Sequence, residues 1–120
     1  MDRSNEEIPA LIAAAIDQSQ VEPLLARMAP GAIVWHNSDR AEADAAASFT
    51  AVAASPLRLA IDQRRVITTP DAVVIQFVMH IDTETPLELH CCMVVSLENG
   101  QITRIDEYLD PAAAAVAAPY

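Results

Sequence analysis

The sequence predicts an α+β domain in which helices cover one face of a curved antiparallel sheet. Two observations carry this. Apolar residues in the first half recur at helical spacing, whereas those of the second half fill long strand-like runs. Turn signals cut the second half into four consecutive runs, an arrangement that makes a meander of hairpins.

The elements follow in order. Ile8, Leu11, Ile12, Ala15 and Ile16 form one apolar helical face. Ser4 and Glu7 stand at capping-box spacing, but Pro9 lacks an N–H, which moves the regular helix start later than Ser4. A second, shorter helix begins at Ser19, with Pro23 in its first turn and Leu24, Leu25 and Met28 inward; Pro30-Gly31 stops it. The run AIVWHN is a strand and NSDR turns the chain. Asp39 and Glu42 repeat the cap-plus-three spacing, opening an Ala-rich helix from Arg40 to about Ala54 that Ser55-Pro56 closes.

Four strands come next: LRLAIDQRRVITT, AVVIQFVMHID, LELHCCMVVSLE and QITRIDEYLD. Their separators are PD, TETP and NG, and Asn99-Gly100 is a strong hairpin signal. A strand of about 11 residues spans roughly 36 Å, long enough that it must twist and curl. Asp110-Pro111 offers an N-cap and a first-turn proline for a last short helix, AAAAVAA. With no repeat and no linker, residues 1–120 read as one domain. A curled sheet closed by helices leaves a cavity of the kind that binds small molecules.

Composition narrows the function. The net charge of −10 and the lack of a basic, aromatic-rich patch argue against nucleic acid. The acidic, polar MDRSNEE is unlike a signal peptide, and the apolar run from Ile8 to Ile16 is too short to span a bilayer. Cys91 and Cys92 are adjacent, so a bridge between them would be strained, which suits a reducing compartment. The expectation is a cytoplasmic protein with no membrane partner.

Alternation assigns faces but not which face lines the cavity. Val74, Gln76, Val78, His80 and Asp82 share one side of their strand, opposite Ile75, Phe77, Met79 and Ile81. Both sides are apolar enough to be covered, and a homodimer through the outer face is the simple reason. In the last strand Thr103, Ile105, Glu107 and Leu109 oppose Ile102, Arg104, Asp106, Tyr108 and Asp110.

The element order, APGAIVWHN after two helices, and the ending NGQITRIDEYLDP resemble the nuclear transport factor 2-like superfamily in its SnoaL-like branch. That resemblance covers nearly the whole chain. It implies a cone-shaped, cystatin-like α+β barrel, often dimeric, and a family that holds isomerases, hydrolases, cyclases, dehydratases and non-enzymatic binding modules. Fold alone does not choose among them.

Similarity to limonene epoxide hydrolases suggests a phase for the strands. Their pocket Tyr and Asn fall on Trp35 and Asn37, their two carboxylates on His80 and Glu107, and their Arg on Val78. With one carboxylate replaced and the Arg gone, limonene epoxide hydrolysis is not predicted. Similarity to ketosteroid isomerases puts the general base on His36 and an oxyanion group near Cys91-Cys92, but the first helix has no Tyr, so steroid chemistry is not supported.

In the hydrolase phase a His80–Glu107 pair on one cavity wall would take a proton or activate water. Asn37 would hold an oxygen, and Trp35, Gln76, Val78, Leu57, Leu59, Leu89, Cys91, Met93 and Leu109 would line the ligand site. His36 and His90 would face outward; in the opposite phase Asp106 and Tyr108 become the candidates. The His and Cys spacing matches no standard zinc pattern, and no cofactor is implied. The expected function is therefore a cofactor-independent acid/base enzyme on a small, mostly apolar, oxygenated molecule. The alternative is a non-catalytic small-ligand or dimerisation module, and a protein-transport adaptor is a weaker third.

Overall fold

A computed structural model describes residues 3–110. The short helix expected after Asp110-Pro111 lies outside the described residues. A 3-10 turn (Arg3–Glu7) leads into α1 (Ile8–Asp17), followed by α2 (Glu22–Leu25), β1 (Met28–His36), β2 (Ala41–Asp44), α3 (Ala45–Ala54), β3 (Arg58–Thr68), β4 (Ala72–Asp82), β5 (Leu87–Glu98) and β6 (Gln101–Leu109). The strands form one six-stranded sheet in the order β2-β1-β6-β5-β4-β3. The four long strands of the second half make the antiparallel meander that the sequence predicts. The sheet as a whole is mixed, because β1 runs parallel to β6.

Local chemistry explains the junctions. Asn99 and Gly100 both have positive φ, 51° and 75°, the backbone of a tight hairpin whose twist matches the flanking strands. Pro9 sits in the first turn of α1, where its missing N–H costs no hydrogen bond. Three boundaries differ from expectation. The second helix starts at Glu22 rather than at Ser19, which takes the left-handed conformation at φ 56°. Met28 opens β1, and Pro30-Gly31 lies inside that strand, where Gly31 at φ 77° marks a bulge between the pairs Met28–Ile102 and Ile33–Arg104. The Ala-rich helix begins at Ala45, not Arg40. Asp44 is extended, and its carboxylate accepts the Ala47 N–H at 2.9 Å, whereas Asp39 accepts the Ala41 N–H in the turn before β2.

The sheet buries one face beneath the helices. Ile75, Phe77, Met79 and Ile81 of β4 point inward with Leu89, Met93 and Val95 of β5 and Ile102 and Ile105 of β6. Ile8, Ile12 and Ile16 of α1 and Phe49 of α3 close over them. Each large side chain fully removed from water there contributes about 1.5–3 kcal/mol. This corrects the hydrolase phase, which puts Gln76, Val78 and His80 in the cavity and so turns Ile75, Phe77, Met79 and Ile81 toward an outer dimer face: these four are core. The edge strand β3 is mostly exposed, and it carries Arg58, Asp62, Arg64 and Arg65 together with a bulge at Arg64, features that discourage edge-to-edge pairing. Among the described residues no helix is long and apolar enough to cross a membrane.

The cap at α3 is a checkable part of this account. Asp44→Ala should lower stability by about 1 kcal/mol in urea unfolding, and Asp39→Ala by clearly less. Equal losses would contradict the cap assignment.

Candidate functional site

The site begins with the pairing of β1 on β6. Register sets Trp35 beside Asp106 and His36 beside Glu107. Neighbours across a ladder share a face, so His36 points inward with Glu107. One residue on, Asn37 fixes this end of the ladder. Its backbone N–H donates to the Glu107 carbonyl at 3.1 Å, its Nδ2 donates to the Leu109 carbonyl at 3.1 Å, and its Oδ1 accepts the Leu109 N–H at 2.9 Å. A side-chain amide thus replaces one backbone unit of the sheet.

His36 and Glu107 meet on the wall of a cavity of about 500 Å3. Nε2 of His36 lies 3.1 Å from Oε1 of Glu107. Glu107 is 2% exposed, while 28% of the His36 side chain reaches solvent. The other walls are mostly apolar: Ile16, Val34, Phe49, Val52, Leu59 and Met93 contribute, with Asp39, Ser48 and Ser55 as further polar groups. The hydrogen bond to Glu107 raises the His36 pKa above the ordinary 6.5, burial opposes it, and the charges of Glu107 and Asp39 add to the rise.

The structure brings together some of the expected residues and separates others. Glu107, Leu59 and Met93 line the cavity. Leu57 packs against the core, and Leu89, Cys91 and Leu109 are buried on the same inner side of the sheet. His80 does not meet Glu107. It stands opposite Ala60 and Glu88 on the outer face, with Nδ1 3.8 Å from Glu88 Oε1, and His90 Nε2 approaches Glu88 Oε2 at 3.7 Å. Gln76 and Val78 share that outer face, as the partners of Cys92 and His90. Trp35 also lies outside, its ring edge-on to Tyr108 with centroids 5.4 Å apart. Asn37 is occupied by backbone rather than by the cavity.

The physical reason is one of parity. The hairpin through TETP pairs Ile81 with Leu87, so even-numbered residues of β4 stand opposite even-numbered residues of β5. Cys91 and Met93 inside therefore require Phe77 and Ile75 inside, and His80 outside. The missed residue is His36. A signal for it was available in the position of the isomerase base, but it becomes decisive only once β1 is known to pair in parallel with β6.

Two other chemistries have little support in the geometry. Burial pushes the Cys91 thiol up to about 12, with Glu107 and Cys92 adding to the rise, which keeps it protonated and a poor nucleophile. Among the described residues no three His, Cys, Asp or Glu side chains are disposed to hold a metal ion.

The profile of the SnoaL-like domain family matches residues 10–105, and the chain belongs to that family. Solved structures share the fold at low identity. TerC, crystallised with polyporic acid, is 19% identical with a TM-score of 0.78, covering 94% of this chain and 96% of that one. A protein of Jannaschia sp. CCS1 assigned as a SnoaL-like polyketide cyclase is 21% identical, covers 98% and 94%, and has a TM-score of 0.76. An LEH-like epoxide hydrolase of M. tuberculosis is 12% identical, covers 98% and 97%, and has a TM-score of 0.73. Identities this low establish the fold alone. No curated protein matches the chain.

His36 offers a direct test of the pair. Its imidazole should titrate above 6.5 by NMR, and Glu107→Gln should lower that value. Because the folded-state pKa is the higher one, the stabilisation is fully present below pH 6.5 and disappears as pH rises through the folded value. A midpoint at or below 6.5 in the wild type would refute the contact.

Proposed function

We propose that the protein is a cofactor-independent acid/base enzyme acting on a small, mostly apolar, oxygenated molecule, with His36 and Glu107 as the reacting pair. The observation that carries this reading is a nearly water-free carboxylate 3.1 Å from an imidazole on the wall of an otherwise apolar cavity. The family, whose fold neighbours include proteins named as a polyketide cyclase and an epoxide hydrolase, supports the class of reaction.

Isomerisation, dehydration, cyclisation and water addition share a requirement: a proton must leave one atom and arrive at another without escaping to solvent. In this reading neutral His36 takes the proton from carbon or from water, and Glu107 stabilises the imidazolium that forms. The same imidazolium then returns the proton to an oxygen. Desolvation strengthens both interactions, because charge inside the cavity is poorly screened. Held acid/base groups of this type accelerate reactions by about 10²–10⁴-fold.

A second reading rests on the same contact. His36 and Glu107 satisfy each other, which a non-catalytic binding cavity also requires of its buried polar groups. Turnover separates the two. Across a panel of epoxides, enones and β-hydroxy ketones, the wild type should convert at least one compound, and Glu107→Gln and His36→Gln should each lower kcat by about 10²–10⁴-fold with binding changed only a few-fold. Ligand binding without turnover in the wild type would decide for the binding module.

The outer sheet face supports a homodimer as well. It carries the half-buried Trp35, Val74 and Val94 together with Tyr108, which is 45% exposed. At micromolar concentration the mass should be twice 12.9 kDa, and Tyr108→Arg should shift it toward one chain. A monomeric wild type would remove this interface.

A further inference from the structure

The charges around the cavity point to a substrate class. Glu107 lies on its wall and Asp39 contributes to its lining, and both are felt at His36. His36 is the cavity's sole cationic group among the described residues, and it faces Glu107. With His36 protonated the three groups sum to −1; with it neutral they sum to −2.

Among the described residues, no other cation lines the cavity. The sequence contains no lysine, and its seven cationic residues are all arginine. Six have described side chains, and none lines the cavity. Arg27 donates to the Gly100 carbonyl at 2.8 Å and lies near Glu7. Arg64 pairs with Asp62 at 2.9 Å, and Arg104 with Glu42 and Asp106 at 2.8 and 2.9 Å on the outer side. Arg40 is exposed in the turn before β2, and Arg58 and Arg65 are exposed on the edge strand.

We propose that this cavity is selective against anions. It takes an uncharged, oxygen-bearing molecule, and Asp39 and Glu107 together turn carboxylates and phosphates away. The inference rests on the cavity being the ligand site, as in the reading above, and adds what that site refuses. An anion entering it would lose hydration, find no cation in the lining beyond His36, and meet the buried Glu107 with the exposed Asp39 at the rim. An uncharged carbonyl or ether oxygen needs only a hydrogen-bond donor, which His36 has to spare in its imidazolium form, since Nε2 is turned to Glu107. The apolar walls receive the remainder of such a molecule.

Two probes of matched shape test this: 2-acetylnaphthalene, which is neutral, and 2-naphthoate, which is an anion. Calorimetry at pH 7.5 should show the ketone binding the wild type at least about tenfold more tightly than the carboxylate. Asp39→Asn, which keeps the oxygen that accepts the Ala41 N–H, should narrow the gap by strengthening naphthoate binding alone. Glu107→Gln at pH 5.5, where the imidazole is freed to serve an anion, should narrow it further. Naphthoate binding the wild type as well as the ketone, or a gap that Asp39→Asn leaves unchanged, would overturn the selectivity while leaving the cavity a ligand site. If neither probe binds, the cavity reading fails and this inference with it.

Discussion

The parallel contact of β1 with β6 is the constraint on which the site depends. Without it, the sheet would be a four-stranded meander whose inner face carries a buried carboxylate without the imidazole that meets it. With it, His36 is delivered beside Glu107 by register rather than by loop conformation. Asn37 makes that register specific. Its amide accepts and donates at Leu109 while its backbone takes the Glu107 carbonyl, so a slip of one residue would break three hydrogen bonds. Such a slip would also turn His36 out of the cavity. An arrangement built this way sits on two strands instead of on connections, and the positions of its groups are tied to the stability of the sheet.

The buried carboxylate of Glu107 brings a penalty with it. A charge withdrawn from water is stable only when its hydrogen-bond geometry is good, and removal of the half-buried His36 takes one of those bonds away. A packing-only core would put leucine or methionine at residue 107, as it does at Leu109 and Met93 nearby. Retaining a carboxylate there, nearly free of water and facing an imidazole, costs stability that an apolar side chain would not, as the reading proposed above requires.

Much of the fold could be read from the sequence because its signals are local. The meander declares itself through alternation, and Asn99-Gly100 fixes its tightest turn by requiring positive φ at two successive positions. The site was less legible because its determinants are not local. Glu107 is indicated by the resemblance to limonene epoxide hydrolases, since alternation alone leaves the face open, and its partner depends on which strand lies beside β6 and in which direction it runs. His80 and His36 are indistinguishable by composition, and the turn through TETP separates them by setting parity across β4 and β5. The Asp39 and Asp44 caps show the same difficulty at small scale: both positions suit a cap, and backbone conformation decides between them.

Trp35 sits one residue before His36, and alternation sends the two to opposite sides of the sheet. The chain's single indole therefore views the Tyr108 ring and whatever covers that surface, with the sheet between it and the cavity. Its emission makes a built-in optical reporter for the convex side of the molecule. A compound entering beneath the helices would leave that signal largely unchanged, whereas a protein docking against the strands would shift its emission.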